Sequence, residues 1–275
     1  PYFSSHPYCP GGKNGEINTG SLNAQASAKN IIAVGASENQ RANTGLSVFD
    51  TTYSCTGTHW TPTGDEWTCG VYFGTPVLND QQADDPEGMW GHSNRGPTAD
   101  GRTKPDIVSP GSAIVSVKSA YKDGNFDLND YYSVKSGTSM ATPITAGTVA
   151  LLIEYLNNHG YDCNLANSPS SNNCPDSALI KGILSASAHD LEGQYFSGGD
   201  GENGAVEKSP NPHEGWGRVD LERAVGSGFT EGIDIATDDS HSFKLSVPDT
   251  GIDSLRVVLS WNEQENGVTA GTQLR

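Results

Sequence analysis

The strongest hydrophobic pattern in the chain begins after Ser136-Gly137-Thr138. From Met140 onward, apolar residues fall on nearly every side of a helix with 3.6 residues per turn. Pro143 lies in the first turn, where its missing N–H breaks no helical hydrogen bond, and the stretch 158–160 ends the pattern. The sequence therefore predicts a helix that runs to about Asn157 and lies in the middle of the protein rather than on its surface.

Short apolar runs elsewhere in the chain predict strands. The run Asn30–Ala36 (NIIAVGA) is almost continuously apolar, which is typical of a parallel strand that is buried on both faces. Two further strands, Asp106–Ser109 and Ala113–Val117, are predicted around the turn at 109–111. A second helix is predicted over Ser177–Ala188.

Past about Gly228 the spacing of the apolar residues changes to strict alternation. Phe243, Leu245 and Val247 alternate with polar residues, and Leu255–Trp261 (LRVVLSW) is strand-like. The sequence therefore predicts that an all-β module begins in this part of the chain.

The charge balance narrows the choice of partners. The chain has 33 Asp and Glu against 16 Lys and Arg, a formal net charge of −17. A field of that sign repels phosphate backbones and anionic lipids, so we expect neither nucleic acid nor a membrane surface as partner. The acidity suits solubility, while carboxylates are also the ligands that Ca²⁺ prefers. The acidic segments 123–130 and 234–239 are candidate calcium sites, with solvated acidic loops as the alternative.

The chain contains the five cysteines Cys9, Cys55, Cys69, Cys163 and Cys174. Two close pairs stand out, Cys55 with Cys69 and Cys163 with Cys174, and no C-x-x-C metal spacing occurs. We therefore expect disulfides and an extracytoplasmic compartment. The first pair falls within a long insertion at about 50–90, which is either functional or a surface decoration. Cys9 is left over, either free or paired with a cysteine outside this sequence.

Ser139 is the candidate for chemistry, because it falls at the predicted start of the apolar helix. A serine in the first helical turn lies beside backbone N–H groups at the positive end of the helix dipole. Such donors suit an oxyanion that forms during acyl transfer. Serine is also an ordinary helix N-cap, so these residues alone leave a capping role open.

Several motifs resemble one family. Gly137–Pro143 (GTSMATP) matches the nucleophile motif of the subtilisin-like serine proteases, or subtilases, at all seven positions. Asn30–Ala36, 94–111 and Gly215–Val219 resemble further blocks of that family in the same order, across roughly 20–228. Within the family, the chain is most similar to secreted alkaline proteases in which a jelly-roll β-domain follows the catalytic domain.

The resemblance implies a fold class and a division into domains. We expect a three-layer α/β fold over residues 1–228, with a mostly parallel sheet flanked by helices, as the C-terminal part of a catalytic domain. Residues 229–275 are then the truncated start of the β-sandwich.

The resemblance also implies an activity, that of an extracellular serine endopeptidase acting on protein or peptide substrates. Ser139 is then the nucleophile, and the Asp and His of the catalytic triad and the oxyanion Asn lie upstream of this sequence. The fragment alone is expected to be inactive. The chemistry requires no cofactor, although structural Ca²⁺ often stabilises the family, and we expect a monomer.

Some residues imitate catalytic motifs. Asp249–Ile252 (DTGI) has the form of the family's Asp motif, but it follows the serine and lies between predicted strands, so a turn is favoured. His6, His92 and His189 lack the family's histidine setting and are predicted to be surface or loop residues. Asn23 falls near the expected floor of the pocket for the substrate residue before the cleaved bond.

Two other hypotheses remain at this point. The chain is a non-catalytic pseudo-protease or adhesion module on the same scaffold, or it is a separate natural subunit.

Overall fold

A computed structural model describes nine regular elements and the segments around them. The elements are β1 (Val34–Ser37), β2 (Thr58–Trp60), β3 (Glu66–Thr68), β4 (Ile107–Pro110), β5 (Ile114–Val117), β6 (Tyr132–Lys135), α1 (Thr138–Asn157), α2 (Ser177–Ser187) and α3 (Leu221–Val225). The described residues are 19–41, 58–60, 66–68, 83, 85–119, 128–163, 173–192, 208–230, 240–247 and 254–262.

The centre of the fold is a parallel pair of strands. β1 pairs with β4 in the register Val34↔Ile107 to Ser37↔Pro110, and an isolated parallel bridge joins β4 to Arg218. The predicted parallel sheet is therefore confirmed. β1 starts later than predicted because the preceding backbone is bonded to side chains, with the Ala33 N–H donating to the Asp106 carboxylate at 2.7 Å.

Antiparallel pairs complete the described strands. β5 pairs with β6, which the hydrophobic pattern did not predict and which leads directly into α1. β2 pairs with β3 inside the insertion at about 50–90. The end of this insertion returns to the sheet, where Ser37 and Met89 form an antiparallel bridge.

The two faces of β4 are covered differently. Ile107 packs into the main core with the helices, whereas Val108 points the other way and packs against Met89 and Leu191. The α/β class is therefore confirmed, with the described helices packed in the Ile107 core. The main core consists of Ile107, Leu152, Leu156, Leu179, Ile180, Ile183, Leu184, Ala188 and Ala224.

α1 differs from its prediction in burial. Its bounds agree with the predicted ones, but only one stripe is buried among the described residues, comprising Ala141, Thr145, Leu152 and Leu156. Leu151 on another face is 54% exposed. The expectation of an interior helix is therefore wrong for this part of the protein, because the described residues cover a single face. α1 has 20 residues and a mean hydropathy of 1.2, so by length and composition alone it could also cross a membrane. Core helices of soluble proteins pass the same test.

α2 agrees with its prediction and is capped by Asp176, whose carboxylate accepts a hydrogen bond from the Leu179 N–H at 2.6 Å. The expected Cys163–Cys174 disulfide is present just before it. Cys9, Cys55 and Cys69 lie outside the described residues.

The predicted strands of the β module are not formed. Residues 240–247 and 254–262 contain no strand, and the described sheets include neither segment. The boundary between 228 and 229 stays a prediction.

Candidate active site

Ser139 is the second residue of α1, directly after Thr138. The N-cap is Gly137, with φ 153° and ψ 158°, and no side chain caps the helix. Since positive φ values in this range are disfavoured for residues with a Cβ, the turn requires glycine here. The alternative that Ser139 caps the helix is therefore wrong.

The hydroxyl of Ser139 is available for chemistry. Its residue is exposed, and among the described residues no hydrogen bond or ring contact engages it. The first turn of α1 contains no acidic side chain. A 20-residue helix thus presents an unengaged hydroxyl at its positive end, where N–H groups of the first turn are donors suited to a developing oxyanion.

Hydrogen bonds to the ends of β1 and β4 fix the position of the turn at Gly137. The Gly137 N–H donates to the Gly111 carbonyl at 2.7 Å, and the Gly111 N–H donates to the Ser37 carbonyl at 2.9 Å. A Cβ on Gly111 would lie 2.5 Å from the Ala36 Cβ, closer than real Cβ atoms approach one another. The absence of that side chain lets the start of α1 lie directly against the strand ends.

Two side-chain hydrogen bonds support the same region. The Ser136 hydroxyl accepts from the Ala113 N–H at 2.8 Å, which ties the residue before the N-cap to the segment entering β5. About two turns into α1, at 3.6 residues per turn, the hydroxyls of Ser109 and Thr145 lie 2.6 Å apart in the buried interface between β4 and the helix. The helix is thereby held at two points, so its first turn has a defined direction.

Two of the described histidines, His92 and His213, are partly buried away from the Ser139 hydroxyl. Burial lowers the pKa of His92 to about 4, and its ring lies 5.0 Å from that of Trp90. Burial and the charge of Arg95 likewise lower the pKa of His213 to about 4. Both imidazoles are therefore neutral near pH 7, and neither contacts the Ser139 hydroxyl.

His189 belongs to an ion-pair cluster that the sequence analysis did not anticipate. Its Nε2 lies 2.8 Å from the Glu87 carboxylate, which also accepts a hydrogen bond from Arg218 at 2.9 Å. Burial raises the pKa of Glu87, but the hydrogen bonds from His189 and Arg218 outweigh it and hold that pKa below its usual value. The cluster fastens the end of the insertion to the segment after α2.

A second ion-pair cluster, which the sequence pattern did not predict either, lies at the start of β4. The Asp106 carboxylate is 2.5 Å from the Lys104 ammonium and 2.7 Å from that of Lys181. Lys104 also donates to the Ile31 carbonyl at 3.2 Å. The signal in the sequence is the Lys104-Pro105-Asp106 triplet, which lies within the family block 94–111 and places two opposite charges two residues apart.

Of the other candidate residues, Asn23 belongs to the described part of the chain. Asn23 is exposed and its side-chain oxygen accepts from the Ala26 N–H at 2.8 Å, closing a local turn. His6 and Asp249–Ile252 lie outside the described residues, as do the candidate calcium segment 234–239 and most of 123–130. Within the described part of the chain, no group of three or more His, Cys, Asp or Glu residues is placed to hold a metal ion.

Comparison with known proteins agrees with the motifs. A sequence model of the subtilase family (Peptidase_S8) matches residues 11–217. The serine protease/ABC transporter B family protein tagB of Dictyostelium discoideum is 30% identical over 245 residues, which cover 72% of this chain and 12% of that protein. The serine protease AprX of Bacillus subtilis is 41% identical over 81 residues, covering 28% of this chain and 18% of that protein. The matched regions are thus a small part of the length of these relatives.

Among solved structures, the CspB protease of Clostridium perfringens is similar, with a TM-score of 0.40 and 22% sequence identity, over 76% of this chain and 29% of that one.

Proposed function

Because this chain belongs to the subtilase family, we propose that it carries the nucleophile, Ser139, of a serine endopeptidase that cleaves internal peptide bonds of proteins. The observation that carries this proposal is the exposed Ser139 hydroxyl in the first turn of a helix whose N-cap has no side chain.

The proposed function implies the following steps of peptide-bond cleavage. The Ser139 oxygen bonds to the peptide carbonyl carbon while its proton passes to a histidine base, and N–H groups of the first turn of α1 stabilise the oxyanion. The proton then moves to the departing amine as the C–N bond breaks, leaving an acyl-enzyme. Water, activated by the same base, hydrolyses this ester and restores the serine.

The exposed face of α1 supports a location for the missing base. Pro143, Ala146, Ala150 and Leu151 are exposed, although a continuous apolar helix face is normally covered. Ser139 lies near Pro143 on the helix surface, since residues four apart are neighbours. We propose that the Asp and His of the triad belong to polypeptide that covers this face in the whole protein.

Replacement of the nucleophile tests the proposal. In the full-length protein, Ser139→Ala should reduce kcat for casein cleavage by about 10⁶-fold, the loss found when the nucleophile of subtilisin is removed. A fluorophosphonate probe should label the unmodified protein at Ser139 and should not label the variant. Labelling of another residue would contradict the assignment.

Thr148→Ala is the matched control on the same helix. Its hydroxyl donates to the Ile144 carbonyl at 3.0 Å, so its loss alters α1 without touching the first turn. We expect the control to cleave casein like the unmodified protein. If neither the unmodified protein nor the control cleaved casein or reacted with the probe, the pseudo-protease hypothesis would replace this one.

Three further properties are proposed together with this function. The Cys163–Cys174 disulfide supports an extracellular location, because such bonds persist mainly in oxidising compartments. Protein substrates and a monomeric state are proposed on the same premise. Structural Ca²⁺ stays a prediction.

A further inference from the structure

The segment 254–262 lies along α2 in an extended conformation. Its side chains alternate in exposure, with Arg256, Val258 and Ser260 partly buried and the intervening Leu255, Val257 and Leu259 exposed. A period of two is that of an extended chain with one side against a surface. The side that faces the protein therefore includes an arginine, while large apolar residues face outward.

The Arg256 guanidinium is surrounded by hydrogen-bond acceptors that lie between residues 185 and 216 of the chain. Its Nη1 donates to the carbonyls of Ser185, Ala188 and Trp216 at 3.3, 2.9 and 3.1 Å. Its Nη2 donates to the Ser209 hydroxyl at 2.7 Å and also to the Asp190 carboxylate. Five acceptors from separate parts of the chain thus converge on one side chain.

This site matches the chemistry of a guanidinium group. Ser185 and Ala188 are at the C-terminal end of α2, where the helix dipole favours a cation. A planar guanidinium directs five donors outward in a fixed arrangement, which an ammonium group does not reproduce. The Asp190 carboxylate supplies the compensating charge.

Two more contacts continue along α2 toward its N-terminus. A Cβ on Gly182 would lie 3.2 Å from the Ser260 Cβ, so the extended segment is packed directly on the helix at this point. The Asn262 side-chain amide donates to the Ser177 hydroxyl at 2.9 Å. The segment therefore touches α2 near both ends and in the middle.

We propose that the outer surface of α2 is a docking surface for the extended segment 254–262, and that Arg256 is the latch that holds this segment against α2. The latch also reaches the strand-like segment beside β4, because the Trp216 carbonyl accepts from Arg256 while the neighbouring Gly217 carbonyl accepts from the Val108 N–H at 2.9 Å. Arg256 thus links segment 254–262 to backbone that is hydrogen-bonded to β4.

Cysteine cross-linking tests the docking. In the protein carrying Gly182→Cys and Ser260→Cys, the two Cβ atoms lie close to the separation that a disulfide needs. We expect this pair to cross-link in a glutathione buffer, as identified by mass spectrometry of the linked peptides. The matched pair Gly182→Cys and Leu259→Cys should cross-link at least about tenfold less, because Leu259 is 78% exposed and points away.

Removal of the latch tests the role of Arg256. Adding Arg256→Met to the first pair should lower the effective concentration of the two thiols about tenfold or more. Arg256→Lys should give an intermediate loss, and it decides the question if the methionine variant does not fold. Arg223→Met is the control, because this arginine is 57% exposed and pairs with Asp220 outside the docking surface. Equal cross-linking by both cysteine pairs would overturn the docking, and an unchanged effective concentration without the Arg256 guanidinium would overturn the latch.

Discussion

The carboxylate of Asp106 offers the most informative test of what holds the sheet together. We predict that Asp106→Ala destabilises the protein strongly, because the Lys104 side chain is only 2% exposed and has this carboxylate as its ion-pair partner. The carboxylate also accepts from the Ala33 N–H at 2.7 Å. Its removal leaves the buried Lys104 ammonium without a countercharge, with only the Ile31 carbonyl as acceptor, and the Ala33 N–H without this acceptor.

The magnitude follows from that burial. Breaking a buried ion pair from one side costs about 3–5 kcal/mol, because the remaining charge stays desolvated. Burial already lowers the pKa of Lys104, and the charge of Asp106 opposes that shift. The double variant Lys104→Met with Asp106→Asn removes both charges and keeps an acceptor for Ala33, so it should recover most of the loss.

Urea denaturation followed by circular dichroism measures these differences. The control is Asp100→Ala, whose carboxylate pairs with Arg102 at 2.9 Å on the surface and is 36% exposed, and which should shift the midpoint far less. If Asp106→Ala cost no more than this control, or if the double variant were as unstable as the single one, the buried-pair reasoning would be refuted.

Two other predictions concern the connections around α2. Because the folded pKa of Glu87 is lowered from 4.5, its interactions with His189 and Arg218 stabilise the protein fully above that pH and are lost as the pH falls below it. Urea unfolding from about pH 3 to 7 should therefore show the unmodified protein's advantage over Glu87→Gln shrinking below pH 4.5, whereas a constant advantage would contradict this. Replacing Cys163 and Cys174 together by serine should lower the free energy of unfolding by about 3 kcal/mol, given a sequence separation of 11. Unmodified protein in a reducing agent should match that variant, and a difference between the two would show that the substitutions act in another way.

Local patterns predicted the regular elements well where the decisive forces are local. The bounds of α1 and α2 agree with the apolar spacing and with nearby start and stop signals. The motif around Ser139 likewise pointed to the helix start, since a glycine with positive φ directly before the first turn is a local requirement. The Cys163–Cys174 bond joins residues close in sequence, so it too was predictable.

Contacts between distant residues decided what the patterns missed. β1 starts at Val34 and not at Asn30 because side chains more than 70 positions away take the hydrogen bonds of the preceding backbone. The alternation in Leu255–Trp261 predicted an extended segment. It did not predict that the buried side of this segment would place Arg256 against three carbonyls, two at the end of α2 and one at Trp216.

Neighbouring residues alone specify the apolar composition of α1, the turn at Gly137 before it and the position of Ser139 just after that turn. Packing against distant segments sets which stripe of α1 is buried and leaves Ser139 exposed. Helical periodicity is a property of residues close in sequence, whereas burial depends on which distant surfaces are brought against them.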